Sequence, residues 1–171
     1  ELLYFPGETN MMMADIAIIN KVDSAPMQKV WQVKNNIETY AGKAKIVLAE
    51  SSVVVSKPGM IKGKRVLVVE DGPTLTHGEM PIGAGFIASE MFKAAEIVDP
   101  RPFAKGSLKE TFTKYPHIES VIPAMGYTPD QIEDLEQTIN LSDCDLVVVT
   151  TPIHMPLVLD IKKPAVRARY E

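Results

Sequence analysis

Short uninterrupted apolar segments alternate along this chain with segments in which apolar residues recur every three or four positions. The first pattern predicts strands covered on both faces of a parallel sheet, and the second predicts amphipathic helices. Strands are predicted at residues 16–19, 45–49, 65–70, 96–99, 120–124 and 145–151, and helices near 27–41, 84–95, after 107 and after 128. This alternation predicts an α/β fold, a mostly parallel sheet with flanking helices in a Rossmann-like three-layer sandwich.

Local signals refine this picture at several points. The stretch 107–110 (SLKE) resembles a capping box, and 128–131 (TPDQ) combines an N-cap Thr, a Pro and a capping Gln. Residues 165–170 alternate in polarity, which favours an edge strand, and residues 1–10 are expected to form a loop. The Pro, Gly and Lys residues at 56–64 predict a boundary between units 1–60 and 63–171. Both ends look cut, so we expect a fragment or a processed product.

Composition restricts the functional classes. The chain has 171 residues, a net charge of −4 and 46% hydrophobic residues, which argues against a nucleic-acid partner. No segment resembles a membrane span or a signal peptide, and a single cysteine, Cys144, favours a reducing, cytoplasmic location. The scattered His77, His117 and His154 have no zinc-ligand spacing, so no structural metal site is predicted.

The polar box that follows the first predicted strand has the composition of a guanine-binding motif. Asn20, Lys21 and Asp23 form N-K-x-D. The carboxylate of Asp23 can accept hydrogen bonds from both N1–H and N2–H of guanine, and the Lys21 stem can cover the base plane. The amide of Asn20 can join this loop to a neighbouring one. The alternative interpretation is a polar turn after a strand.

A second loop is expected to complete the base pocket. It follows the strand at 45–49, and Ser51 is the candidate for a backbone contact to the base, with Glu50 beside it. A simple turn at the strand end is an equally good interpretation.

The loop at 70–85 (EDGPTLTHGEMPIGAG) is the second candidate site. Gly lets the backbone approach a ligand, a helix N-terminus favours an anion, and hydroxyls can donate to phosphate. Asp71 or Glu70 could hold Mg²⁺, and the spacing G-x-G-x-x-A over 83–88 only weakly resembles a dinucleotide fingerprint. The alternative is a purely structural loop. The predicted phosphate or substrate residues are Asp71, Gly72, Thr74, Thr76, His77, Gly78, Gly83 and Gly85.

Weaker candidates lie at other strand ends, where a ligand role competes with ordinary structural roles. Arg101 is expected to pair with a phosphate or a carboxylate, or to form a surface salt bridge. Charges on the last strand are expected to be solvated and to discourage sheet aggregation. The remaining candidates are Thr150, Thr151, Pro152 and His154 at one strand end, and Arg167 and Arg169 on the last strand.

Two stretches carry a family resemblance. The segment ADIAIINKVD (14–23) resembles the corresponding strand of the SIMIBI-class P-loop GTPases that mature urease and hydrogenase. Together with YFPGETN (4–10) and GKRVLVVEDGPTLTHGEMPIGAG (63–85), it resembles more closely the archaeal cyclic 2,3-diphosphoglycerate synthetase-like proteins, over nearly the whole chain.

The resemblance implies the C-terminal part of a nucleotide-dependent phosphoryl-transfer enzyme. It implies a nucleoside triphosphate (GTP or ATP), Mg²⁺ and a small anionic phosphorylated acid as ligands, and a missing N-terminal part or a homo-oligomer as partner. The family's best-known reaction uses ATP, whereas Asp23 favours guanine, so both nucleotides stay open. Because no G-x-x-x-x-G-K-[ST] phosphate loop occurs here, these residues alone are expected to be inactive. The alternatives are a non-catalytic GTP-binding assembly or regulatory module and a dinucleotide-binding oxidoreductase.

Overall fold

The computed structural model describes residues 5–77, 80–126, 128–151 and 159–171, with Phe5 described by its backbone only. Within these ranges the chain is an α/β protein with a mostly parallel sheet and flanking helices, consistent with the predicted Rossmann-like three-layer fold. Its contacts divide it into two units, one formed by residues 1–52 and 171 and the other by residues 53–170. The predicted linker, 56–64, lies inside the second unit.

The first unit contains two helices and a two-stranded parallel sheet. Its elements are α1 (Phe5–Met12), β1 (Ile16–Ile19), α2 (Met27–Tyr40) and β2 (Lys45–Leu48). Residues 5–10, part of the segment expected to be a loop, are thus helical. Ile19 packs with Val30 and Ile37 of α2 in a small core. The prediction that β1 is covered on both faces is wrong for the described residues, because Ile16 and Ile18, on the face opposite Ile19, are 60% and 66% exposed.

The second unit is built on a six-stranded sheet. The strands are β3 (Val53–Val55), β4 (Arg65–Asp71), β5 (Glu96–Ile97), β6 (Ile122–Ala124), β7 (Leu146–Val149) and β8 (Ala165–Tyr170). Their order is β3-β8-β7-β4-β5, and β6 pairs with the last residues of β4. All pairs are parallel except β3 with β8. Since β3 covers its outer side, β8 is not the edge strand that its alternation predicted.

Helices cover this sheet. They are α3 (Gly72–Thr76), α4 (Ala84–Met91), α5 (Gly106–Lys114) and α6 (Pro129–Leu141), with short 3₁₀ helices at Pro58–Met60 and Arg101–Phe103. The loop expected after β4 therefore begins with a helix, α3. Residues 66–69 of β4 and 147–149 of β7 are buried in the core. Because helices cover both faces of such strands, their sequences are continuously apolar.

The two predicted helix caps have different outcomes. At α6 the Thr128 hydroxyl accepts a hydrogen bond from the Gln131 N–H (3.3 Å), so the predicted N-cap is confirmed. At α5 the capping-box prediction is wrong, because the N-cap position is Lys105. The Ser107 N–H and hydroxyl both donate to Asp134 of α6 at 2.8 Å, so a residue from another helix satisfies this N-terminus.

Candidate functional site

The two predicted base-reading loops lie side by side in the first unit. Strands β1 and β2 are parallel and in register from Ile16–Lys45 onward, so their carboxyl ends meet at one edge of the sheet. The N–H of Ser51 donates to Oδ1 of Asp23 at 3.1 Å, and the N–H of Val22 donates to the Ala49 carbonyl at 3.2 Å. The structure therefore brings Asp23 and Ser51, 28 positions apart in the chain, into direct contact.

The remaining residues of the box shape its turn. Lys21 has a left-handed backbone, with φ of 60°, and its N–H donates to Oδ1 of Asn20 at 2.9 Å. Asn20 and Asp23 are exposed, and Lys21 is half-buried. An Asn tolerates and stabilises such a tight turn through its short polar side chain. The Asp23 carboxylate is thus held at the surface, where a ligand can reach it.

A buried carboxylate, Glu70, is the centre of the second candidate site. Glu70 lies near the end of β4 and is 3% exposed. Its Oε1 accepts hydrogen bonds from the N–H groups of Gly83 (3.2 Å) and Phe86 (2.9 Å), and its Oε2 accepts one from the Thr150 hydroxyl. Burial raises the pKa of Glu70, because removing a carboxylate from water favours the neutral form, and the hydrogen bonds offset part of this rise.

The glycines at the start of α4 are explained by the close approach of Glu70. A Cβ at Gly83 would lie 2.6 Å from Oε2 of Glu70. A Cβ at Gly85 would lie 2.7 Å from Val68 Cγ1 and 2.9 Å from Thr150 Cγ2. The G-x-G-x-x-A spacing therefore serves packing against the β4 side chains. The N–H groups of Gly83 and Phe86, at the helix start expected to receive an external anion, are bound to a protein carboxylate.

A cavity of about 130 Å³ lies beside Glu70, at the carboxyl ends of β4 and β7. This is the position at which open α/β sheets bind ligands. The Asp71 carboxylate lines it and accepts a hydrogen bond from the Thr74 hydroxyl at 3.0 Å. A basic side chain, Arg169 of β8, lines the same cavity. The full lining is Glu70, Asp71, Thr74, Gly83, Ala84, Thr150, Arg169 and Tyr170.

Only part of the predicted phosphate loop contributes to this cavity. Gly72 is buried, and its carbonyl accepts a hydrogen bond from the Thr76 hydroxyl at 2.9 Å. Thr76 lines a different cavity, of about 410 Å³, together with Lys114, Tyr115 and His117. His77 is exposed, with its Nδ1 3.1 Å from the Thr76 hydroxyl. The phosphate-binding roles assigned to these residues stay predictions.

Three weaker candidates also have described positions. Arg101 forms an ion pair with Asp99, with 2.8 Å between Nη2 and Oδ2, and its guanidinium lowers the pKa of Asp99. Thr151 is buried, and Arg167 is exposed. The predicted candidates Gly78, Pro152 and His154 lie outside the described residues.

Tyr170 and Ala84 are cavity residues that sequence reasoning missed. Arg169 is expected from the sequence to be a solvated charge on an edge strand, whereas the structure places it among the residues that line the cavity. The charged end of β4 is the sequence feature that points to this site. Glu70 and Asp71 follow four fully buried residues, and a carboxylate that is buried after such a segment needs a hydrogen-bond partner.

Metal-ligand clusters and membrane-spanning helices can be sought in the described parts of the chain. Among these residues, no group of three or more His, Cys, Asp or Glu side chains is arranged to hold a metal ion. Glu70 is engaged by two N–H groups and a hydroxyl, which does not fit the role of a Mg²⁺ ligand considered for it. No described helix combines the length and apolar character needed to cross a bilayer.

Comparison with known proteins adds one relative. No protein-family profile matches the chain. The chain is 53% identical, over all 171 residues, to the protein named arginine synthetase ArcE of the archaeon Thermococcus kodakarensis. It spans 38% of the length of that relative. The kinship to cyclic 2,3-diphosphoglycerate synthetase-like proteins inferred from the motifs stays a prediction.

Proposed function

We propose that this chain is part of a nucleotide-dependent ligase that acts on an amino acid. In this proposal the first unit recognises the nucleotide base and the second unit binds the substrate. The name of the relative, arginine synthetase, supports a ligase that forms an amino-acid product. A small phosphorylated acid, the substrate class implied by the motif resemblance, is replaced in this proposal by an amino acid.

The contact between Ser51 and Asp23 is the observation that carries the base-recognition role. It places a backbone N–H donor and a carboxylate acceptor 3.1 Å apart at the edge of the β1-β2 sheet. The guanine edge presents the complementary pair, the O6 acceptor beside the N1–H donor. A bound guanine can therefore exchange the protein's internal bond for two bonds to the base, with N2–H adding a third on Asp23. Adenine presents a donor where guanine presents O6, so it cannot pair in this way.

The triphosphate would be held by other residues of the full natural protein. The 171 residues contain no G-x-x-x-x-G-K-[ST] loop, which in P-loop enzymes binds the phosphates and supplies a Mg²⁺ ligand. A phosphate loop and Mg²⁺ from outside this sequence, or from a second copy of the protein, would complete the nucleotide site. When bound, the metal would neutralise phosphate charge.

An Asp23→Asn substitution in the full natural protein tests this proposal. The amide can no longer accept from both N1–H and N2–H of guanine, but it can accept from N1–H of xanthine and donate to its O2. We expect GTP affinity to fall about 10-fold or more and XTP affinity to rise, measured by calorimetry. Asp15→Asn, at the opposite end of the same strand, is the matched control and should leave both affinities unchanged.

Two outcomes would contradict the proposal. Equal loss of GTP, XTP and ATP binding in Asp23→Asn would mean that Asp23 supports the fold instead of reading the base. Tight, Asp23-dependent GTP binding with no turnover on any amino acid would favour the non-catalytic GTP-binding module.

A further inference from the structure

We propose that one face of the β1-β2 sheet binds an amphipathic helix from the part of the full natural protein that lies outside these 171 residues. We call it the open face, and it consists of Ile16, Ile18, Lys45 and Val47. Such a helix would complete the first unit whichever nucleotide or substrate the protein binds, so its presence and the proposed function are tested separately.

The register of the two strands defines the open face. In the parallel pair, residue 16 lies beside 45, 17 beside 46, 18 beside 47 and 19 beside 48. Because successive side chains point to opposite sides of a strand, these pairs alternate between two faces. One face carries Ile19, which packs with Val30 and Ile37 of α2. The open face is the opposite one.

The apolar side chains of the open face are exposed. Ile16 and Ile18 are exposed to 60% and 66%, and Val47 to 37%. Parallel sheets occur almost only with both faces covered, since the crossover helices that connect their strands pack on them. Helix α2 is the crossover between β1 and β2 and covers one face. In the described part of the chain, the open face therefore lacks the second helical layer of such sheets.

Strand β8 shows the sequence of a strand with one solvated side in the same protein. Its residues alternate, with Val166 and Ala168 buried and Arg167 and Arg169 exposed. Strand β1 (IAII) has no polar position, which is the pattern of a strand buried on both faces. The exposed isoleucines of β1 thus occupy positions that β8 fills with arginine, which indicates that the open face is covered in the full protein.

The size of the open face fits one helix. Each strand has four residues, which span about 13 Å at about 3.3 Å per residue, and the strands lie about 4.8 Å apart. A helix with its side chains is about 10 Å across. A second copy of the protein fits less well, because a stable interface buries about 800 Å² per partner and separate molecules lose translational and rotational freedom on association.

The longer relative has residues enough for this layer. The matched chain makes up 38% of arginine synthetase ArcE of Thermococcus kodakarensis, so more than half of that protein lies outside the match. A segment of the same polypeptide covers the face without the cost of association. At the Lys45 end, the aliphatic stem can pack under the helix while the ammonium group reaches water. We therefore expect the covering helix to be apolar over Ile16, Ile18 and Val47 and polar beside Lys45.

Thiol labelling of the full natural protein tests whether the open face is covered. Ile18→Cys and Val47→Cys place a thiol on this face, and Glu110→Cys, at an exposed position of α5, is the control. Mass spectrometry of each peptide gives the maleimide labelling rate without nucleotide, and the rate in urea corrects for intrinsic reactivity. We expect positions 18 and 47 to react at least about 100-fold more slowly than position 110, because the reagent reaches them only when the helix detaches.

Two labelling results would overturn the proposal. Reaction at position 18 as fast as at position 110 would mean that the open face is solvated in the full protein. Slow reaction only at protein concentrations at which the protein is a dimer, with fast reaction on dilution, would assign the face to a second copy.

A photoreactive diazirine analogue of lysine at position 45 identifies the covering segment. Position 45 pairs with Ile16 on the open face, so the reagent lies at the edge of the expected contact. In the monomeric full protein we expect a crosslink to a peptide from outside these 171 residues, with apolar residues at helical spacing. Crosslinks confined to the 171 residues would overturn the proposal, because the cover would then belong to this chain.

Discussion

Replacing Glu70 with alanine tests the structural basis of the second candidate site. Glu70 is 3% exposed, and its carboxylate is the acceptor for the N–H groups of Gly83 and Phe86 at the start of α4. In Glu70→Ala both N–H groups lose this acceptor, that of Gly83 at a buried position and that of Phe86 at a half-buried one. The Thr150 hydroxyl loses its acceptor on Glu70 as well, although it also lies 3.2 Å from the Val69 carbonyl and keeps that partner.

The expected cost follows from these hydrogen bonds. A buried N–H left without an acceptor costs about 1–3 kcal/mol, and the half-buried N–H of Phe86 costs less, so we expect a loss of about 2–4 kcal/mol in the free energy of unfolding. Water entering the space left by the side chain would lower the value toward the smaller limit.

Urea denaturation followed by circular dichroism measures this loss, and hydrogen exchange locates it. The amides of Gly83 and Phe86 should exchange much faster in Glu70→Ala, while amides in α6 change only with global stability. Glu90→Ala is the matched control, because Glu90 is an exposed residue of the same helix. A destabilisation of Glu70→Ala below about 1 kcal/mol, or protected Gly83 and Phe86 amides, would refute this reasoning.

Two further predictions concern the same region. Gly85→Ala should destabilise the protein by about 1–3 kcal/mol in urea denaturation, because its Cβ would lie too close to Val68 and Thr150. The control Gly59→Ala, which has open space around it, should change the stability by no more than about 0.5 kcal/mol. Equal effects of the two substitutions would contradict the packing explanation. Glu70→Gln should remove a pH dependence. Because the folded-state pKa of Glu70 is raised, the stability it contributes is greatest below the unfolded pKa of about 4.3 and is lost as pH rises through the folded pKa. The wild type should therefore lose stability relative to Glu70→Gln over that range, and parallel pH profiles would contradict the assignment.

The sequence alone predicts those features that depend on neighbours in the chain or on the general rules of parallel sheets. The core strands β4 and β7 follow from their continuous apolar residues. The proximity of Asp23 and Ser51 follows because each lies in the loop after a strand of a parallel pair. The Thr128 cap likewise depends only on residues within one helical turn.

Other features depend on distant residues and could not be read from local patterns. Asp134, from another helix, takes the place of the predicted cap of α5. The three-residue strand β3 is too short to recognise, so β8 was expected at the sheet edge that β3 occupies. Glu70 accepts hydrogen bonds from Gly83 and Phe86 at the start of α4, which lie 13 and 16 positions further along the chain.

The affinities of the full natural protein for GTP, ITP and ATP test the central claim, base recognition by Asp23 and Ser51, most directly. ITP differs from GTP only by lacking the N2 amino group, so it loses one hydrogen bond to the carboxylate. The base of ATP presents its donor and acceptor in the reverse order, so it cannot make the guanine pairing. We predict that GTP binds about 10-fold or more tightly than ITP, and ITP more tightly than ATP. Equal affinity for the three nucleotides, or a preference for ATP, would contradict the account.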